Sequence, residues 1–276
     1  MVLLGTGALR KMEVALDSPV QYKLRLDDDS LVDMNQLIGQ PIAMKYEGVI
    51  NCLHCGRKTR KSFNQGYCYP CFTRLPQCDS CIVKPETCHF HEGTCRDPAW
   101  GERNCFAPHV VYLANSSGLK VGITRRTQIP TRWIDQGAVA ALPILEVDNR
   151  LHSGLLEKVF SAHVSDKTNW RAMLKGDIPE VDLAAERDRL LALCADEIDA
   201  LRSQHGEAAI RTLPEQAGVA ITYPVIEYPK KVATFNLDKS PDVNGTLLGI
   251  KGQYLILDSG VINIRKFGAY QVSLSA

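Results

Sequence analysis

The sequence predicts an α+β protein built from small antiparallel sheets. Short alternating apolar runs occur near both ends of the chain, and helical periodicity is confined to its middle. Between residues 52 and 105, nine of the ten cysteines stand where a hydrophobic pattern would otherwise be. At 276 residues the chain is long enough for two domains, or for one domain with inserts. Its formal net charge of +1 says nothing about a nucleic-acid partner, so the distribution of charge matters more. Residues 51–75 carry Arg57, Lys58, Arg60, Lys61 and Arg74 without an acid, and residues 119–134 add Lys120, Arg125, Arg126 and Arg132. An acid-rich stretch at 180–202 compensates. No apolar run approaches the roughly 18 to 20 residues of a membrane span, and residues 1–9 are too short and too little charged for a secretory signal. A cytoplasmic protein without a membrane partner is expected.

Residues 1–50 form an N-terminal β segment, with Val20, Tyr22, Leu24 and Leu26 on one strand and Ile42, Met44 and Tyr46 on another. Asp27-Asp28-Asp29-Ser30 between them reads as a solvated turn. An internal echo joins the two ends of the chain. Gly39-Gln40-Pro41-Ile42 leading to Gly48-Val49-Ile50-Asn51 resembles Gly252-Gln253-Tyr254-Leu255 leading to Gly260-Val261-Ile262-Asn263, each as strand, Gly turn and strand. The first segment is therefore expected to pair with residues 220–276, whose strand-and-turn rhythm fits a barrel-like unit of the OB or SH3-like kind.

Residues 51–106 form a cysteine-rich region. Cys52-x-x-Cys55, twelve residues, and Cys68-x-x-Cys71 have zinc-ribbon or treble-clef spacing, because each turn aims two thiolates at one point. With no core available there, bound zinc would contribute folding energy directly. Between the two turns, Arg57, Lys58, Arg60 and Lys61 could follow a phosphate backbone while Phe63 and Tyr67 stack on bases, or the rings could be structural. Cys78, Cys81, Cys88, Cys95 and Cys105 form a second set together with His89 and His91. Seven candidates exceed four positions. A second structural zinc or an iron–sulfur cluster on four of the five thiolates are both open.

Residues 107–206 begin with two strand-forming runs, 110–113 and 119–124, joined by Asn115-Ser116-Ser117-Gly118, which reads as a β-hairpin. Pro130 suits the first turn of a helix that puts Arg132, Trp133 and Gln136 on one side. The hairpin would bring Tyr112 and Lys120 beside that helix's arginine. Leu142, Ile144 and Val147 suit a strand beside the hairpin, and Leu151, Leu155 and Val159 define a helix with one apolar face. Glu157, about 200° round from Leu155 on the wheel, is left free to hold a metal ion. Asn169 lies in a polar connection and would tie it to the active helix by its amide. Leu183, Leu190, Cys194, Ile198 and Leu201 mark one long helix stopped by Gly206, with Cys194 a core thiol.

Val110-Val111-Tyr112 followed by Lys120-Val121-Gly122, with Arg132, Glu157 and Asn169, resembles the GIY-YIG nuclease superfamily over residues 108–172. The resemblance implies a small antiparallel sheet with helices and a site for phosphodiester hydrolysis. In it, Tyr112 and Lys120 stand near the attacking water, Arg132 holds the scissile phosphate, and Glu157 binds one Mg²⁺ or Mn²⁺. Lys120 would lower the pKa of Tyr112 so that the phenol orients or deprotonates the water. Asn169, twelve residues past Glu157, falls about where the superfamily has its Asn. Three positions depart from the motif: Val110 replaces the leading Gly, Lys120 the second Tyr, and Gln136 a residue that is often His or Tyr. The whole chain also resembles a bacterial domain-of-unknown-function family with this cysteine block, which implies no mechanism.

Three functions follow as expectations. The first is a divalent-metal-dependent endonuclease acting on DNA or RNA. The second is a zinc-containing DNA- or RNA-binding module that cuts nothing, and the third an iron–sulfur protein of RNA modification.

Overall fold

In a computed structural model, residues 1–27, 30–213 and 217–276 are described. Asp28 and Asp29 of the acid run lie outside them. In chain order the strands and helices are β1 (Leu3–Ala8), β2 (Glu13–Ala15), β3 (Gln21–Leu26), β4 (Ser30–Asp33), β5 (Pro41–Asn51), β6 (Lys58–Thr59) and α1 (Tyr69–Arg74). Next come α2 (Pro98–Asn104), β7 (His109–Asn115), β8 (Leu119–Arg125), α3 (Thr131–Asp135), β9 (Ala140–Val147), α4 (Arg150–Ser161), α5 (Trp170–Lys175), α6 (Leu183–Leu193), α7 (Ala195–His205), β10 (Ile210–Thr212) and β11 (Val219–Ala220). The chain ends with β12 (Asp242–Lys251), β13 (Tyr254–Leu257), β14 (Gly260–Asn263) and β15 (Tyr270–Ser275). The fold is mixed α+β, and all strand pairs are antiparallel. Among the described residues, no helix is long and apolar enough to cross a membrane.

Two compact units result. One contains residues 1–73, 174–176 and 221–276; the other contains residues 74–173 and 177–220. The cysteine-rich segment is divided between them, with Cys52 to Cys71 in the first and Cys78 to Cys105 in the second.

In the first unit, strands from both ends of the chain share one sheet in the order β1-β15-β5-β12-β13-β14, with β6 added to β5. Period-two burial drives it, since Tyr270, Val272 and Leu274 of β15 point into the core while the residues between them are only partly covered. Beside it, β2-β3-β4 forms a small sheet in which Tyr22, Leu24 and Leu26 are fully buried, as their alternation requires. The buried Gln253 amide accepts from the Met12 N–H at 2.8 Å, fixing the two ends of the chain to each other. The large sheet is open, with β1 and β14 as its outer strands, so it is not closed into a barrel. Half of the internal echo is realised. Residues 254–263 do form a strand, turn and strand, but 41–51 run on as one strand. Gly48 (φ 74°) makes a bulge there rather than a turn, because β5 advances from Tyr46 to Ile50 while β15 moves only from Val272 to Tyr270.

The second unit is built on the sheet β10-β9-β7-β8, with β11 also on β9. All seven residues of β7 are buried, as suits a central strand covered on both faces. One face packs Val111, Leu113 and Val121 against Leu156 and Phe160 of α4 and against Leu190, Cys194 and Ile198. Two expectations change here. The face of α4 that meets the sheet carries Leu156 and Phe160, whereas Leu151 and Leu155 line a separate apolar cavity of about 460 Å³. The expected long helix is two helices, α6 and α7, that break at Cys194 (φ −105°, ψ 17°), whose thiol is buried in the core as expected. Asn149 starts α4 by accepting from the His152 N–H at 2.9 Å.

The reassigned face can be measured. Leu156→Ala should cost about 2–5 kcal/mol of unfolding free energy in urea titrations, and Leu155→Ala less than half as much. Equal losses would return the helix to the orientation expected from its 151, 155, 159 spacing.

Candidate metal centre and buried polar cleft

The first cluster is built by two tight turns. In the first, the Cys52 N–H donates to the Arg57 carbonyl at 2.9 Å and the Gly56 N–H to the Cys52 carbonyl at 2.8 Å. Gly56 takes φ 69°, a left-handed value that favours glycine. In the second, Cys68 precedes α1 and Cys71 lies within it. The four sulfurs of Cys52, Cys55, Cys68 and Cys71 all lie within 4.8 Å of one another, with Cys55 and Cys68 at 3.7 Å. Tetrahedral zinc with Zn–S of roughly 2.3 Å needs sulfurs a little under 4 Å apart, so this set fits one ion such as zinc. Burial raises the Cys52 thiol, but hydrogen bonds from the backbone of Cys55, Cys68 and His54 outweigh it and bring the group to about 6. Burial and the surrounding thiols push Cys71 up. A bound cation would replace the protons that such crowded thiols otherwise keep.

Arg57, Lys58, Arg60 and Lys61 are exposed around the first turn. Phe63 does not offer a free face for stacking. It lies parallel to Phe72 at 5.7 Å and edge-on to Tyr69 at 5.5 Å, so it packs the metal segment itself.

In the second unit Cys81, Cys88, Cys95 and Cys105 line one small cavity, and Cys78 is buried outside that lining. Asp79, Cys81 and His89 also approach one another. The Asp79 carboxylate pairs with the Arg96 guanidinium at 2.8 Å and lies 3.6 Å from His89 Nε2, while His89 Nδ1 pairs with Thr94 Oγ1 at 2.7 Å. His91 is exposed beside Glu92.

The hairpin, α3 and α4 bring together a third group. Tyr112 on β7 is fully buried and edge-on to Trp133 at 5.9 Å. Its cross-strand partner is Gly122, where a Cβ would stand 2.7 Å from the phenolic oxygen, so the glycine supplies the space the phenol occupies. Gln136 accepts from Arg132 Nη2 and Nε at 3.1 and 3.2 Å while its amide nitrogen donates to the Tyr112 hydroxyl at 2.9 Å. Lys120, 4% exposed, donates from Nζ to Thr168 Oγ1 at 3.4 Å. Burial lowers Lys120 to about 8, helped by Arg132 and opposed by Glu157. Burial also raises Glu157, reinforced by Asp166 and opposed by Lys120, Arg132 and Arg150.

Tyr112, Lys120, Arg132 and Glu157 therefore share one electrostatic neighbourhood, and Asn169 does not act as expected. Its side chain caps α5 by accepting from the Ala172 N–H at 3.2 Å, while its backbone N–H donates to Ser117 Oγ at 2.9 Å. The expected activation of Tyr112 is also reversed. Burial pushes the phenol up to about 12, against the pull of Arg132 and with Glu157 and Asp135 adding to the rise. Arg125 and Arg126 are engaged elsewhere, donating to Asn104 Oδ1 at 2.7 Å and pairing with Glu146 at 3.0 Å. The sequence reading missed Arg150, Asp166 and Thr168. Gln136, four residues after Arg132 on α3, was legible as its helical neighbour but counted only as a departure.

Residues 39–272 match a family described as Protein of unknown function (DUF2797). The chain belongs to that family. No curated protein and no solved structure matches it. For this DUF2797 protein, the sites must be argued from their own chemistry.

Two measurements test the geometry. Cys68→Ser should lose one zinc per chain by elemental analysis and unprotect residues 52–72 in hydrogen exchange, leaving residues 109–125 protected. Gly122→Ala should cost about 1–3 kcal/mol through overpacking against the Tyr112 ring, and Tyr112→Phe in the same chain should recover part of that loss.

Proposed function

We propose that the group Lys120, Arg132, Arg150 and Glu157 binds a nucleic-acid phosphodiester and hydrolyses it, as the resemblance to GIY-YIG nucleases implies. The reading is carried by the charges acting on half-buried Glu157: Lys120, Arg132 and Arg150 all pull its carboxyl down against the effect of burial. A site of that charge suits an anionic group that can exchange water for several donors at once.

The roles differ from those the resemblance alone implies. Tyr112, held near 12, is a poor proton acceptor at neutral pH and serves instead to hold Gln136 and, through it, Arg132. Lys120, near 8, accepts the water's proton, because an amine is deprotonated far more easily there than in solvent. Arg132 donates to the phosphate oxygens as charge builds on them. Glu157, with Asp166 as a second carboxylate nearby, would hold a Mg²⁺ or Mn²⁺. That ion would supply charge neutralisation on the substrate.

A second reading, binding without cleavage, draws support from the complete burial of Tyr112. The same cations would grip the phosphate backbone and no bond would break.

The two readings separate on cleavage of single-stranded, branched and duplex DNA and of RNA with Mg²⁺ or Mn²⁺. Hydrolysis requires a rate that rises with pH through about 8, since the active Lys120 is the neutral one. It also requires losses on the order of 10²-fold or more in Glu157→Ala and Lys120→Met. Binding that falls with salt by roughly 0.7 to 0.9 log units per phosphate contact, without cleavage and unaffected by Glu157→Ala, selects the second reading. Activity that is equal in wild type and Glu157→Ala, or no binding to any nucleic acid, ends the nuclease assignment.

A further inference from the structure

The segment between α1 and α2 is built of short 3₁₀ turns, and two of them, Ser80–Ile82 and Phe90–Glu92, follow directly on Asp79 and His89. Asp79, Cys81 and His89 each offer one ligand atom, and the three atoms lie within 4.8 Å of one another. All three residues line one cavity of about 20 Å³, which has room for a single ion. Ile82, Phe90 and Trp100 form apolar parts of its wall, which limit the access of water.

The hydrogen bonds around His89 decide where its proton sits. Thr94 Oγ1 donates to the His89 carbonyl at 3.2 Å, so the same oxygen accepts from the Nδ1–H at 2.7 Å. The neutral ring then turns an unprotonated Nε2 toward Asp79 Oδ2, 3.6 Å away. That separation is beyond a hydrogen bond, and a protonated ring would close it to about 2.7–2.9 Å. Two ligands of one tetrahedral zinc, with bonds of roughly 2.0 to 2.2 Å, stand about 3.3–3.6 Å apart. A nitrogen lone pair and a carboxylate oxygen facing each other at this distance, with a thiol beside both, match the ligands of one cation. Arg96 does not displace it. The guanidinium pairs with the Asp79 carboxylate at 2.8 Å while its Nη1 donates to the Leu75 carbonyl at 3.1 Å, and an ionised carboxylate has lone pairs for a guanidinium and a metal at once. Arg96 thereby orients Asp79 as Thr94 orients the imidazole, in the manner of the outer partners that metal ligands keep. Cys88, Cys95 and Cys105 line the same cavity, so a fourth ligand is at hand.

We propose that Asp79, Cys81 and His89 bind one zinc ion, separate from the four-thiolate cluster. The test is zinc analysis of the full chain after incubation with Zn²⁺ and removal of the excess, together with X-ray absorption at the zinc edge. The wild type should hold two zinc ions per chain, and Asp79→Ala, Cys81→Ser and His89→Ala should each hold one. Cys68→Ser should also hold one, and the absorption of that ion should show nitrogen or oxygen at about 2.0–2.2 Å besides sulfur at about 2.3 Å. A single zinc in the wild type would overturn the proposal, as would a second zinc kept by both Asp79→Ala and His89→Ala. So would a shell of sulfur alone in Cys68→Ser. Should the variants not fold, the wild-type spectrum still decides: nitrogen or oxygen scatterers averaged with sulfur support the mixed site, and sulfur alone rules it out.

Discussion

At Gly154 helix α4 comes so close to the Pro85–Thr87 turn that an added Cβ would lie 2.5 Å from the Pro85 Cβ and 2.7 Å from the Glu86 nitrogen. Much of the second unit depends on that contact. Leu156 and Phe160 seat the same helix on the sheet, Arg150 at its start holds the backbone of Ile82 and Cys105, and Glu157 faces the cations of the cleft. One short helix thus packs on a core, anchors the cysteine-lined segment and positions a half-buried carboxylate. A side chain at 154 would force helix and turn apart, and every one of these contacts would shift with them.

The cleft shows why its residues act as a set. An isolated charge buried at Lys120 or Glu157 would be too costly, and each shifts toward its neutral form because water has been removed. Their mutual attraction opposes that drift in both; Arg132 and Arg150 oppose it further at Glu157, whereas Arg132 adds to it at Lys120. Arg150 belongs to two neighbourhoods at once. It is influenced by Cys105 and Cys81 on one side and by Arg132 and Glu157 on the other.

Legibility in the sequence followed the range of the interaction. The α+β class, the hairpin, the strand beside it and the first four-cysteine cluster all rest on local spacing, and all are present. What failed depended on distant neighbours. Gly48 reads as a turn until its strand has two partners, and Leu155 reads as core until Leu156 is found facing the sheet. The sign of the Tyr112 shift depends on burial, which no spacing reveals. Asn169 looked like a tether and proved to be a helix cap, a role set by the helix that begins immediately after it. Arg150 left no signal at all, because its importance comes from carbonyls 68 and 45 positions earlier in the chain.

The sheet that joins β1 to β15 imposes an order on biosynthesis. Val2 and Ala276 exchange backbone hydrogen bonds of 2.6 and 3.1 Å, so β1 finds this partner only once β15, more than 260 residues later, has been made. Residues 74–173, by contrast, contain β7, β8, β9 and α4 in one stretch and can begin to assemble while the nascent chain is still growing. Until β15 has been made, this edge of β1 is an open template for pairing with other chains. That waiting period, rather than the finished structure, is when this protein is most exposed to aggregation.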